Sequence, residues 1–288
     1  MTPFDLLLYA GVVFGWSTSW LPLKWHLGVV APEISLFWRF LMAAPMMFLL
    51  AYISGQPTWF HWRLHWRFAA LGLFIFSGNF TLFYYAANGV ASGLLAVVFS
   101  TASLVNVLMT AALGRQRPPA LHLLAAVVGI SGVALLYWPE LRVSDAALPS
   151  LVLCLIGTLF FCSGNMVSAD SQRQAIPVFA SAAWGMVYGA GYLGLGSLII
   201  GNEFMIEQTP LYIGSLLWLT IVSSVLTFSC YLVLIGRIGA SRAGYATVIF
   251  PVFALLLSTI FENYQWGVLG VIGLGLVVSG NLIMIRAR

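Results

Sequence analysis

Ala91-Ser92-Gly93-Leu94-Leu95-Ala96 leads an apolar run that reaches Leu113, and Ala240-Ser241-Arg242-Ala243-Gly244-Tyr245 leads a second that reaches Phe261. Each run is followed by a short polar break and a Gly-rich apolar stretch. Outward from these two echoes the chain divides into ten apolar spans: 4–23, 33–53, 68–87, 91–113, 120–138, 148–169, 177–200, 212–235, 243–261 and 266–285. A helix that crosses the hydrocarbon needs ~20 such residues. The runs are continuous rather than alternating, which argues against a membrane β-barrel. The last five spans read as a weak second copy of the first five. An odd number of spans per copy forces the second copy to enter the membrane from the opposite side. The expected fold is therefore an all-α integral membrane protein, ten transmembrane helices arranged as two inverted five-helix repeats. The repeats are expected at 1–138 and 148–288, with a polar linker at 139–147.

Composition supports that class. Of the 288 residues, 61% are hydrophobic and 7% are charged, and the mean hydropathy is +0.99. A soluble domain carries about 25% charged residues. The net charge of +4 does not indicate nucleic-acid binding, because the arginines sit singly or in pairs between apolar spans and form no basic helix. Cys154, Cys162 and Cys230 all fall inside spans, as reduced core residues do. Met1 to Asp5 has no basic segment, so the first span is expected to be a retained helix rather than a cleaved signal.

Basic residues set the expected orientation. With a cytoplasmic N-terminus, Arg63, Arg67, Arg115, Arg117, Arg173, Arg237, Arg242, Arg286 and Arg288 lie inside, against Lys24 and Arg142 outside. Both termini are expected in the cytoplasm, and the protein in a bacterial-type inner membrane as a multi-pass chain. Trp59, Trp62 and Trp66 fit an interfacial belt.

Several chemistries are excluded. There is no G-x-x-x-x-G-K-[ST], no HExxH and no CxxC, so neither P-loop hydrolysis nor a metal is expected. His26, His61, His65 and His122 are scattered, and no span pairs a Ser or Cys with a His and an acid, so no enzyme and no cofactor are expected. Asp5, Glu33, Asp170 and Glu262 lie near span ends. A cation antiporter normally needs a carboxylate at mid-membrane, so neutral and zwitterionic solutes are the better match. Inverted repeats are the usual plan of secondary transporters, with substrate held near the midplane between the halves.

The order of short motifs resembles the ten-helix EamA-type transporters of the drug/metabolite transporter superfamily over nearly the whole chain. In the first half these are Trp16-Ser17-Thr18-Ser19-Trp20 with Lys24, Pro32-Glu33 with Arg39-Phe40, Tyr84-Tyr85-Ala86-Ala87 and Ala91-Ser92. In the second they are Tyr231 before Gly236, Ala240-Ser241, Pro251, Phe261-Glu262, Gly270, Gly273 and Gly280. Where the family places a proline and a closing acid in the fourth span, the first half has Ala102 and Gly114. The overall likeness is greatest to bacterial amino-acid and metabolite exporters, including the YddG type that exports aromatic amino acids. The resemblance implies an inner-membrane exporter with a central cavity that opens alternately to each side.

Candidate substrate-binding residues follow from polar and aromatic side chains at span depth. Trp16 and Trp20 share a face of the first span and can stack on a substrate, although Ser and Thr beside them also suit helix packing. Asn79 and Phe83, with Tyr84, lie on the third span, where a mid-membrane Asn must face another helix or water. Ser100 and Thr101 lie on the fourth span and Asn165 on the sixth. Ser224, Thr227 and Tyr231 form a polar stripe on the eighth, and Tyr245 and Pro251 lie on the ninth. Pro251 frees the carbonyl one turn earlier. Arg39 is expected to hold carbonyls or reach toward headgroups, and the glycines of spans five and ten to allow close packing. Spans one, three, four, six, eight and nine are expected around the cavity, braced by five and ten. The expected partners are amino acids, related metabolites and the lipid bilayer, with a monomeric or weakly self-associating chain. Export of lipophilic drugs and a non-transporting scaffold or receptor subunit are the alternatives. The sequence leaves uniport and proton-linked antiport both open.

Overall fold

The computed structural model describes residues 2–113, 120–238 and 246–286, and among them every regular element is helical. Ten helical rods follow one another. They are α1 (Pro3–Ser17 and Trp20–Trp25), α2 (Pro32–Ile53), α3 (Trp62–Ala86) and α4 (Ser92–Ser100 and Ala102–Leu113). Next come α5 (Ala120–Val143), α6 (Ala147–Arg173), α7 (Val178–Ile200) and α8 (Pro210–Leu217, Trp218–Thr227 and Phe228–Ile238), then α9 (Ala246–Phe261) and α10 (Val268–Arg286). This is the expected ten-helix fold. The polar break at mid-chain is shorter than the expected linker. Pro139 sits inside α5, which runs on to Val143, and α6 begins at Ala147.

Local chemistry sets the ends. Thr2 caps α1 reciprocally with Asp5, and Pro3 takes the first helical position, where a missing N–H costs nothing. Thr209 caps α8 by accepting from the Tyr212 N–H at 3.3 Å, with Pro210 next. Within α1, the Thr18 hydroxyl donates to Phe14 and Gly15 carbonyls and the Ser19 hydroxyl donates to Gly15. These bonds satisfy the backbone where the helix breaks.

Packing carries the repeat. α5 packs on α10, α2 on α7 and α4 on α9. The remaining major contacts come in exchanged pairs: α3 with α6 and α8 with α1, α3 with α7 and α8 with α2, α1 with α9 and α6 with α4. Replacing each helix by the one five places away reproduces the same set, as two inverted halves about a pseudo-twofold axis demand. Outer faces are apolar and exposed, for example Val127, Ile130, Leu195 and Ile199. Only lipid accommodates such a surface. Trp59, Trp62 and Trp66 are also exposed, beside Arg63 and Arg67.

Candidate functional site

A cavity of about 100 Å³ lies between the two halves. α1 supplies Trp16, Ser19, Trp20 and Leu23, and α3 supplies Ile75, Phe76, Asn79, Phe80 and Phe83. Phe99 of α4, Phe161 of α6, Met186 of α7 and Phe250 of α9 close the sides. Arg39 and Phe40 of α2 face Leu219, Ser223, Ser224 and Phe228 of α8. The rings interlock edge to face: Trp20 lies 5.5 Å from Phe83, Phe83 5.4 Å from Phe99, and Phe99 4.8 Å from Phe161. Such pairs contribute about 0.5–1.5 kcal/mol each beyond their burial.

The backbone beside the cavity is unusual in both halves. α3 widens to a π-helix over Gly72–Gly78 and α8 over Trp218–Thr227, at equivalent places in the repeat. Side-chain hydroxyls follow the wider turn. Ser77 donates to the Gly72 carbonyl, Ser224 to Leu219 and Thr227 to Val222, each five residues back. π-Segments cluster at functional sites because they re-aim side chains out of α-helical register. Here they lead into Asn79 on one side and contain Ser223 and Ser224 on the other.

Among the described residues the one charge in the wall is Arg39, which is 2% exposed. Its Nε donates to Ser224 Oγ at 2.9 Å and its Nη2 to Ser223 Oγ at 3.3 Å. Its guanidinium carbon lies 4.5 Å from the centre of the Phe80 ring and 5.2 Å from that of Phe40. Among the described residues no carboxylate lies within ion-pair distance of it.

Of the residues expected at a site, Trp16, Trp20, Asn79, Phe83 and Ser224 line this cavity. Others lie elsewhere. Tyr84 is buried outside the wall, where its hydroxyl meets His26 Nδ1 at 3.1 Å and lies beside the Arg39 guanidinium. Ser100 accepts from Asn281 Nδ2 of α10 at 3.1 Å, joining two helices instead of facing the cavity. Thr101 marks the break in α4 and donates to Val98. Thr227 packs against Gly15 so closely that a Cβ there would lie 1.8 Å from its hydroxyl. Tyr231 stands behind Trp16, with 4.9 Å between ring centres. Asn165 is half-buried and outside the wall. Pro251 stays behind Phe250, whose ring reaches the cavity and whose carbonyl accepts from Ser17 at 3.1 Å. Tyr245 lies outside the described residues.

Sequence reasoning missed Arg39, Phe40, Phe80, Phe99, Phe161 and Phe250, along with the contributions of α2 and α7. An apolar ring in an apolar span carries no signal of which way it faces. Arg39 did carry one, because a lone charge at membrane depth marks a functional position by default.

A bolt ties the helices together at one end of the bundle. Glu262, just beyond α9, pairs with Lys24 near the end of α1 at 2.9 Å. The same carboxylate accepts from the Ser92 N–H at 3.0 Å and the Ser92 hydroxyl at 2.6 Å, and from Ser258. Lys24 Nζ also donates to the Val90 carbonyl at 2.9 Å. The bolt joins α1, α4 and α9 at the end carrying the α1–α2, α3–α4 and α9–α10 loops. Burial raises the Glu262 carboxyl, but the hydroxyls of Ser258 and Ser92 and the Lys24 ammonium outweigh it and hold it below the ordinary carboxylate range. The other described ion pairs, Arg67 with Asp170 and Arg237 with Asp5, lie at the opposite end.

The sequence profile of the EamA-like transporter family matches this chain twice, over 4–138 and 149–286. The uncharacterized transporter YoaV of Bacillus subtilis is 22% identical over 92% of this chain and 91% of its own. Protein PagO of Salmonella typhimurium is 19% identical over 91% of this chain and 84% of its own. An uncharacterized transporter of Buchnera aphidicola subsp. Schizaphis graminum is 27% identical over 95 residues, 33% of this chain and 32% of that one. A protein of known crystal structure superposes with a TM-score of 0.69, covering 100% of this chain and 99% of the other at 17% identity.

Proposed function

The chain belongs to the EamA-like transporter family, and from that premise we propose that it exports aromatic and neutral amino acids and related small metabolites by alternating access. One observation carries the proposal: a ring-lined cavity lies between two inverted halves that an ion pair ties together at one end. Stacking walls suit apolar and aromatic side chains and discriminate weakly among related solutes, so broad specificity is expected. The candidate binding residues are Trp16, Trp20, Asn79, Phe83 and Ser224, joined by Phe99 and Phe250. The arginine distribution makes the bolted end the outer one, with both termini in the cytoplasm of a bacterial-type inner membrane. Export of lipophilic cations is the weaker reading, because no Asp or Glu is in the wall among the described residues.

Counterflow in proteoliposomes tests it. Vesicles loaded with unlabelled phenylalanine are expected to accumulate labelled phenylalanine and neutral amino acids well above protein-free vesicles. If neither amino acids nor cationic dyes exchange faster than in protein-free vesicles, the transport reading is wrong. Exchange of dyes alone would select the drug-efflux alternative.

A further inference from the structure

We infer that Arg39 is the anchor for an anionic group, a carboxylate, carried by whatever occupies the central cavity. The inference rests on the transport reading for its setting but on separate observations for its content. Arg39 is buried within the hydrocarbon span, seven residues into α2, about 10 Å from its end. A buried guanidinium without a counter-charge is costly, and membrane proteins keep one where it works. Ser223 and Ser224 hold Nε and Nη2 by neutral hydrogen bonds, and the neutral Tyr84 hydroxyl also lies beside the guanidinium, while Nη1 is buried and makes no hydrogen bond of its own. Ser224 is itself fixed by donating to Leu219 at 3.0 Å, so the head of Arg39 is preset. Phe80 and Phe40 lie against the guanidinium. The guanidinium is part of a cavity wall that, among the described residues, contains no acid.

That arrangement selects a ligand. A guanidinium with a free N–H edge binds a planar carboxylate with both charge and geometry matched. It repels a lipophilic cation. Asn79, 1% exposed, lies in the same wall with its amide oxygen unpartnered. An ammonium group finds an acceptor there. The apolar rings between take the side chain. The cavity therefore reads as a site for a carboxylate first, with the ammonium second.

Ligand-induced changes in tryptophan fluorescence of the purified, full-length protein test this with four probes: phenylalanine, 3-phenylpropionate, phenylalaninamide and phenethylamine. Phenylalanine and 3-phenylpropionate are expected to bind at least about tenfold tighter than the two probes that lack a carboxylate. Arg39→Met is expected to abolish that preference, and Arg39→Lys to restore part of it, since an ammonium keeps the charge without the fork. Equal binding of phenylalanine and phenylalaninamide by the wild-type protein overturns the inference. So does a carboxylate preference that survives in Arg39→Met. If Arg39→Met does not fold, the wild-type probe series decides by itself. The two readings separate cleanly. Counterflow of amino acids together with equal binding of amide and acid sinks the anchor and leaves export standing. Arg39-dependent binding of 3-phenylpropionate without amino-acid exchange does the reverse. A wild-type protein that binds none of the four overturns the anchor.

Discussion

At the residue scale, the cavity wall is a set of rings whose value lies in their edges and faces. Phe99 touches Trp20, Phe83, Phe161 and Phe250, so it is the hub of the cluster. Phe99→Leu keeps apolar volume and removes the ring. With aromatic pairs contributing about 0.5–1.5 kcal/mol each, half-saturation for phenylalanine in counterflow is expected to rise about three- to tenfold. Alanine should change by less than about twofold, and an equal rise for both solutes would show that Phe99 only shapes the cavity. Asn79, Ser224, Trp16 and Trp20 could be found in the sequence because polar or amphipathic groups stand out in apolar spans. Ser100, Thr101 and Thr227 stood out for the same reason and lie elsewhere, because a hydroxyl in a helix is also satisfied by its own backbone.

At the scale of elements, α5 and α10 meet through glycine. A Cβ on Gly273 would lie 2.7 Å from the Gly132 carbonyl oxygen, and one on Gly280 would lie 2.8 Å from that of Ala125. Backbone thus packs on backbone, the usual solution where lipid provides no hydrophobic drive between helices. Gly275 faces open space. Gly273→Leu is expected to destabilise by about 1–3 kcal/mol or more through overpacking. Gly275→Leu should stay within about 0.5 kcal/mol of the parent. Unfolding in detergent micelles compares them, and equal losses would contradict the packing described. The expectation that glycines on these spans pack closely holds for Gly129, Gly132, Gly273 and Gly280, whereas Gly275 contributes nothing to the interface. The π-segments of α3 and α8 had no sequence signal, because helical widening is decided by what neighbouring helices press against.

At the scale of the whole molecule, the halves share a plan but not a bolt. Glu262 ties three helices at one end. Its repeat counterpart is Gly114, outside the described residues, and a glycine carries no carboxylate. Glu262→Gln is expected to shift the protein toward opening at that end, seen as a longer or broader distance between spin labels placed on the α1–α2 and α9–α10 loops. An unchanged distance distribution would show that the bolt does not hold the closure. The pH response should be flat. A carboxyl held below its ordinary value contributes to the closed state above the usual carboxylate pKa of about 4.3, and that contribution is lost only as pH falls through the lowered value. Between pH 8 and pH 5 the distances should therefore stay fixed in the parent protein, and opening within that window would contradict the assignment.

The sequence by itself determined the solvent, the helix count and the inversion. Those follow from hydropathy summed over long windows and from an odd number of spans per repeat, which no tertiary contact can alter. It also marked Trp16, Trp20, Asn79 and Ser224, whose polar or amphipathic groups break an apolar pattern, and Phe83 as the neighbour of Asn79 one turn on. Only the tertiary structure decided which rings face inward, because α-helical position fixes spacing but not the neighbour a face meets. It alone also showed what surrounds Arg39. Ser223 and Ser224, 184 and 185 residues away in the chain, occupy two of its nitrogens, and the third makes no hydrogen bond.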